Sequence, residues 1–209
     1  MIASVYSVFM DNIDKEVLLH QDKCVRKFLP SNCIFTQVHE KQLGVMQDLS
    51  IARCTANSPT DITMVLDIDC IPLSHGAFEH LISRAQDGIL AGCIQRASHI
   101  QNNKHVYVGP FCMAFSRDKY KAMGSPTFGN SPRGDIAEEL TYAWQAHSAP
   151  IYFLRPTHVD VPLWPLDDGE IDFGYGTTYA DLFYHEFCSR ETMDRQRSFI
   201  RKCQQVLRG

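Results

Sequence analysis

"ITMVLDID", running from Ile62 to Asp69, is the stretch that decides the fold. An apolar run of this length without Gly or Pro reads as a strand buried on both faces, as strands inside a parallel sheet are. It finishes on two aspartates one residue apart. Side chains at i and i+2 of a strand leave on the same face, so Asp67 and Asp69 are expected to point one way and Ile68 the other. Like charges held that close repel, and a cation between them would remove the conflict.

Working outward, strands and helices alternate. Upstream, "IASVYSVF" is a β-rich opening strand, Asp14 to Leu29 is a helix ending at Pro30, and "CIFTQV" is a second strand. Lys41 to Asn57 supports another helix, closed by the breaker "NSPTD". Downstream come a helix over His75 to Ala85 and the strand "GILAGCI". Such alternation predicts an α/β fold with a mostly parallel central sheet flanked by helices. The second half is less regular. "VYVGPFCMAFS" reads as a strand broken at Gly109-Pro110 that leads into a short helix. Ile136, Leu140 and Trp144 fall in register on an amphipathic helix, "IYFL" is a strand, and a helix from about Glu191 closes the chain. The aromatic- and glycine-rich segment from Pro156 to Tyr184 reads as a long loop.

The bulk numbers exclude several classes. A chain of 209 residues suits one well-packed domain, and 44% hydrophobic with 21% charged residues is ordinary globular composition. A net charge of −4 provides no broad basic field for nucleic acid or an anionic membrane. No apolar stretch approaches the ~20 residues of a membrane span, and the first residues read as a strand rather than a signal peptide. The eight cysteines form no C-x-x-C pair and sit mostly in apolar segments, which predicts buried thiols in a reducing, cytoplasmic setting.

Open α/β sheets bind ligands at the carboxyl ends of their strands, where Asp67 and Asp69 fall. Hard carboxylate oxygens suit Mg²⁺ or Mn²⁺, ions that keep open positions for substrate phosphates. The bland alternative makes Asp69 a capping acid and Asp67 a solvated strand end.

Several segments, in this order, resemble GT-A-fold glycosyltransferases. "SIARCTANSPTDITMVLDIDCIPL" is similar to the helix with an Ala-Arg element that precedes the family's D-x-D strand. "YVGPFCMAFSRDKY" is similar to the segment beneath the donor sugar, "RGDIAEELTYAWQAHSAPIYFL" to the acceptor-side helix and strand, and "LFYHEF" to the late histidine that serves many members as a metal ligand. The order of segments is also similar to the glycosyltransferase domain of chlorovirus capsid-glycosylating proteins, which would place the chain in host cytoplasm.

The resemblance implies a single domain over residues 1–209, with 1–95 as the nucleotide-binding half and 96–209 as the acceptor-side half. It implies metal-dependent transfer of a sugar from a nucleoside diphosphate donor, UDP by family habit, to a hydroxyl of a glycan or glycoprotein. Asp69 would ligate Mn²⁺ or Mg²⁺ directly, and Asp67 would reach the metal through water or bind the ribose. Arg53 would approach the nucleotide, Val5, Tyr6 and Ser7 would line the base pocket, and Gly109 would lie under the donor. Cys54 stands where many relatives carry Asn, so that residue's contacts do not carry over. A compact chain of this size also suits a piece of a larger multidomain polypeptide.

Three assignments stay open in the residues themselves. His185 is a third metal ligand or a buried histidine bonded to backbone, with His158 as the reserve ligand. Inverting transfer needs a carboxylate to take the acceptor's proton, and Asp135, Glu138 and Glu139 cluster at one helix start. Asp135 as N-cap with Glu138 three residues on is equally a capping box. Trp164, Asp167, Asp168, Tyr175 and Tyr179 form an acceptor-binding lid or an ordinary aromatic loop. Two rival functions share these motifs: a haloacid-dehalogenase-like phosphatase with Asp67 as nucleophile, and a non-catalytic nucleotide-sugar-binding domain.

Overall fold

The computed structural model describes residues 2–40, 47–97, 100, 104–166, 169 and 171–209. The chain runs β1 (Ala3–Phe9), α1 (Lys15–Phe28), β2 (Cys33–His39), α2 (Gln47–Asn57), β3 (Ile62–Leu66), β4 (Cys70–Pro72), α3 (Gly76–Gln86) and β5 (Leu90–Arg96). It continues with β6 (Val106–Ser116), α4 (Arg117–Ala122), α5 (Glu138–Ala146), β7 (Ile151–Leu154), β8 (Pro156–Trp164), β9 (Phe173–Tyr179), β10 (Phe183–His185) and α6 (Met193–Arg208). The central sheet has six strands in the order β2-β1-β3-β6-β5-β7. β1 pairs parallel with β2 and β3, β5 pairs parallel with β7, and β6 alone runs against its neighbours. This is the expected mostly parallel α/β sheet.

β3 is buried along its whole length because both faces of the sheet are covered. Met64 and Leu66 pack with Phe78 and Leu81 of α3, whereas Val65 packs with Leu140 and Trp144 of α5 and Ile51 of α2. α1 buries Val17, Gln21, Cys24, Val25 and Phe28, a single helical stripe. Asp14 caps it, accepting from the Glu16 N–H at 2.9 Å. The eight cysteines are free thiols, five of them buried.

Four expectations need correction. β3 stops at Leu66, so Asp67 and Asp69 do not project from a strand. The Asp67 N–H still joins the ladder, donating to Phe111 O at 2.8 Å, and the Cys70 N–H then closes a turn on Asp67 O at 3.0 Å. The turn sends the chain into a second sheet, ordered β4-β10-β9-β8. That sheet is the second correction, since it occupies most of the segment from Pro156 to Tyr184 that reads as a loop. Pro156 and Pro162 sit on the edge strand β8, where the register shifts beside each. Gly174 is required there: a Cβ would lie 2.2 Å from Val161 O.

Third, β6 is not broken at Gly109-Pro110. Its ladder with β5 shifts instead, Gly92 pairing with Met113 and Ile94 with Val108. Fourth, α5 begins at Glu138 after Ala137 in the left-handed region (φ 62°), so Asp135 is not its N-cap. Half of the capping box survives: the Glu138 carboxylate accepts from the Asp135 N–H at 2.8 Å. The helix expected over Lys41 to Asn57 covers Gln47–Asn57 in its described part, and residues 41–46 lie outside the described residues, as do Asp167 and Asp168. Among the described residues, no helix is long and apolar enough to cross a membrane.

Candidate active site

A cavity of about 240 Å³ opens where β1 and β3 end. Val8, Phe9 and Met10 form one side, Asp67 and Asp69 the next, and Pro110 and Phe111 of β6 contribute a third. Asp135 with Ile136, Glu40, and Phe187 to Arg190 after β10 also line it.

One corner gathers Asp67, Asp69 and His185, each offering a ligand atom within 4.8 Å of the others. His185 comes from β10, whose antiparallel pairing sets it opposite Cys70, next to Asp69. Its Nε2 lies 2.9 Å from Asp69 Oδ1 and 3.9 Å from Asp67 Oδ2. The imidazole packs against two rings that also touch each other, its centroid 4.3 Å from Phe111 and 3.8 Å from Phe187, which lie 5.0 Å apart. Phe187 and Cys188 both take left-handed backbone (φ 56° and 53°), costly for non-glycine residues. That pair of turns delivers the Ser189 N–H to Asp69 Oδ2 at 3.1 Å.

The electrostatics of this corner are unbalanced. Burial and then the Asp69 charge push the Asp67 carboxyl up to about 6, against the pull of His185, the Ile68 N–H and Arg190. Burial also opposes ionisation of Asp69, yet the imidazole and the Ser189 N–H outweigh it and hold that carboxyl below its usual range. His185 Nδ1 is buried with no hydrogen-bond partner among the described residues. Two buried carboxylates beside one imidazole, with converging ligand atoms, are a donor set that fits Mn²⁺ or Mg²⁺.

Asp135 sits on another wall of the same cavity. Tyr107, fully buried, donates its hydroxyl to Asp135 Oδ2 at 3.2 Å, and the Ile136 N–H donates to Oδ1 at 2.8 Å. Burial, then the Asp135 and Glu138 charges, keep the Tyr107 phenol well above its ordinary value, so it stays a donor. Glu138 is entirely buried against His105, 2.7 Å away, and is not among the cavity-lining residues. Glu139 accepts from Arg133 and Ser131.

Other expected residues fall elsewhere. Val5 and Ser7 are inside the core, because β1 runs on to Phe9 and presents Val8 to Met10 at its end. Tyr6 is half-buried on the same strand and does not line the cavity. Arg53 lies outside the lining, its guanidinium 2.9 Å from Glu40, which does line it. Gly109 is buried directly behind the wall, where a Cβ would meet the Phe111 ring at 2.3 Å. His158 is exposed and paired with Asp160, away from the cluster. Trp164 packs on Phe173, Tyr175 and Phe187, Tyr175 is half-buried, and Tyr179 is buried in the core.

Some contributors have no sequence signal. Gln21, buried on α1, donates through Nε2 to Asp67 O at 2.6 Å and lies within 3.2 Å of Cys70 O, tying both ends of the aspartate turn to the helix. Ser189 acts through its backbone, which no side-chain pattern reports. Tyr107 is hidden inside a strand reading.

No family profile matches the chain, and no curated protein sequence matches it. Solved structures do. A glycosyltransferase involved in glycosylating the major capsid of PBCV-1 aligns over 95% of this chain and 98% of its own, at a TM-score of 0.52 and 13% identity. A Drosophila β-1,4-galactosyltransferase 7, solved with manganese, UDP-Gal and xylobiose, aligns over 88% and 71% at 0.52 and 15%. The fold is GT-A-like. A 2-C-methyl-D-erythritol 4-phosphate cytidylyltransferase from Thermus thermophilus matches equally well, over 98% and 100% at 0.52 and 10%, so this GT-A-like frame is shared with nucleotidyltransferases. The chain spans about half the length of some other matches. Within the GT-A-like frame, the aspartate turn and His185 lie at the strand ends, where ligands of open α/β sheets bind.

Proposed function

We propose that the protein transfers a glycosyl group from a nucleoside diphosphate sugar, UDP-linked in the simplest case, to a hydroxyl of a glycan or glycoprotein. The observation that carries this reading is the convergence of Asp67, Asp69 and His185 on one wall of a cavity that Asp135 also lines. Asp69 and His185, with Asp67, would hold Mn²⁺ or Mg²⁺, which when bound supplies positive charge to a departing diphosphate. Asp135 takes the proton of the acceptor hydroxyl. The acceptor oxygen bonds to the anomeric carbon while the bond from that carbon to the diphosphate oxygen breaks, its electron pair leaving with the diphosphate. Attack opposite the leaving group inverts the anomeric centre. The Tyr107 hydroxyl and Ile136 N–H fix the Asp135 carboxylate's orientation. Phe111, Ile136 and Phe187 give the cavity an apolar wall.

Two alternatives are weaker on physical grounds. A phosphatase would need Asp69 as a proton donor, yet His185 and the Ser189 N–H hold it ionised. Nucleotidyl transfer is favoured by the cytidylyltransferase match. A triphosphate carries more negative charge than a diphosphate sugar, however, and among the described residues the cavity wall holds Glu40, Asp67, Asp69 and Asp135, with Arg190 beside them and Arg53 paired to Glu40 from outside.

The test is a panel of nucleoside diphosphate sugars with Mn²⁺ and saccharide acceptors, scored by release of nucleoside diphosphate. The reading requires acceptor-dependent release that Asp69→Asn lowers by about 10²–10³-fold. Release of pyrophosphate from a nucleoside triphosphate and a sugar phosphate would replace it with nucleotidyl transfer.

A further inference from the structure

Glu138 is not used by the chemistry above, yet its burial needs a reason. Its side chain is 0% exposed, at the first residue of α5. A carboxylate taken out of water is costly unless hydrogen bonds and charge replace its hydration. His105 Nδ1 lies 2.7 Å from Oε1, and the Asp135 N–H donates to Oε2 at 2.8 Å. His105 is fixed in turn, stacked on Tyr142 at 4.0 Å with 11° between the rings, its Nε2 3.1 Å from Gln145 Oε1. Between Asp135 and Glu138 the chain passes through Ala137 at φ 62°, closed by the Glu138 N–H donating to Asp135 O at 3.0 Å. A non-glycine residue leaves that conformation readily unless its surroundings hold it.

We infer that Glu138 and His105 form a positioning pair. Through the Asp135 N–H they lock the left-handed turn at Ala137 and keep the Asp135 carboxylate aimed into the cavity. Glu138 itself touches no substrate. The inference rests on Asp135 being the base, and its consequence is kinetic: a displacement of about 1 Å at a reacting group can cost about 10²-fold in rate.

The test uses the full chain as wild type, Glu138→Gln, Glu138→Ala, His105→Ala and Asp135→Asn, each checked for native near-ultraviolet circular dichroism. Amide hydrogen exchange at Asp135 is read first and needs no substrate. Glu138→Ala should speed it by about tenfold or more, while Glu138→Gln, whose amide oxygen still accepts from that N–H, should leave it within about twofold. With UDP-galactose, Mn²⁺ and xylobiose as the probe, or the donor and acceptor selected by the panel, Glu138→Ala and His105→Ala should lower kcat by about tenfold with donor KM nearly unchanged. Glu138→Gln should keep at least about a third of kcat, because position and not charge is what it supplies. Glu138→Gln as inactive as Glu138→Ala, or unchanged Asp135 exchange in Glu138→Ala, would overturn the inference. Wild-type kcat in Asp135→Asn would instead overturn Asp135 as base, and exchange would still report on the positioning pair.

Discussion

Two acidic corners share one cavity and have opposite internal balance. At the Asp135 corner much of the pairing is local, Glu138 accepting from the Asp135 N–H and Glu139 pairing with Arg133, while His105 and Tyr107 reach in from 33 and 28 residues away. At the Asp69 corner the partner comes from 116 residues away, on a strand of the other sheet. There the carboxylates compress around one imidazole, and burial with mutual repulsion lifts Asp67 to about 6. Acids clustered in sequence tend to be settled by capping and local ion pairs. Acids brought together by long-range topology, and left short of positive charge, are the better candidates for an exogenous cation.

Variants can break this contrast. The largest effect is expected for Asp135→Asn, which should cut transfer by up to about 10⁴-fold while donor binding, read as a ligand-induced rise in Tm, persists. Asp69→Asn should reduce nucleoside diphosphate release by about 10²–10³-fold in the Mn²⁺ concentration that saturates wild type. It should also abolish the Mn²⁺-induced rise in Tm, which Asp135→Asn leaves intact.

A pH series sharpens the same contrast. Asp67 must lose its proton to ligate a cation, and it holds that proton below about 6. The Mn²⁺-induced stabilisation should therefore be full at pH 7.5 and shrink steadily from pH 6 to pH 5. The sign is opposite for the metal-free protein. A carboxyl raised in the folded state binds its proton more tightly there than when unfolded, so this group favours folding as pH falls from 6 towards 4.

The smallest effects concern the scaffold behind the metal corner. Gly109→Ala would drive a Cβ into the Phe111 ring that stacks on His185, costing about 1–3 kcal/mol in denaturant unfolding. Gln21→Ala leaves the Asp67 and Cys70 carbonyls without that donor, a loss of about 1–3 kcal/mol. Unchanged midpoints in both would show that the aspartate turn holds itself.

The central sheet was legible because its strands, apart from β6 with its Gly109-Pro110, have an uninterrupted local signature. β3 reads as buried on both faces since its neighbours cover both, and the aspartates after it mark its end. The second sheet was not legible. Its prolines and glycines are breakers by local rules, and only pairing through bulges beside Pro156 and Pro162 makes room for them. At the site, Asp67, Asp69 and His185 were named from spacing and order of segments, and the structure brings them together. Val5 to Ser7 missed the cavity because a strand's end cannot be placed within two or three residues from propensity. Gln21 and the Ser189 N–H were invisible because their roles depend on tertiary approach alone.

The most direct trial is calorimetric titration of the purified chain with Mn²⁺ in the presence of UDP at pH 7.5. One ion per chain should bind in wild type and Asp135→Asn, and none in Asp69→Asn or in the double variant Asp67→Asn, His185→Ala. Binding that survives loss of Asp69, or a wild-type chain that takes up no ion, would contradict the account.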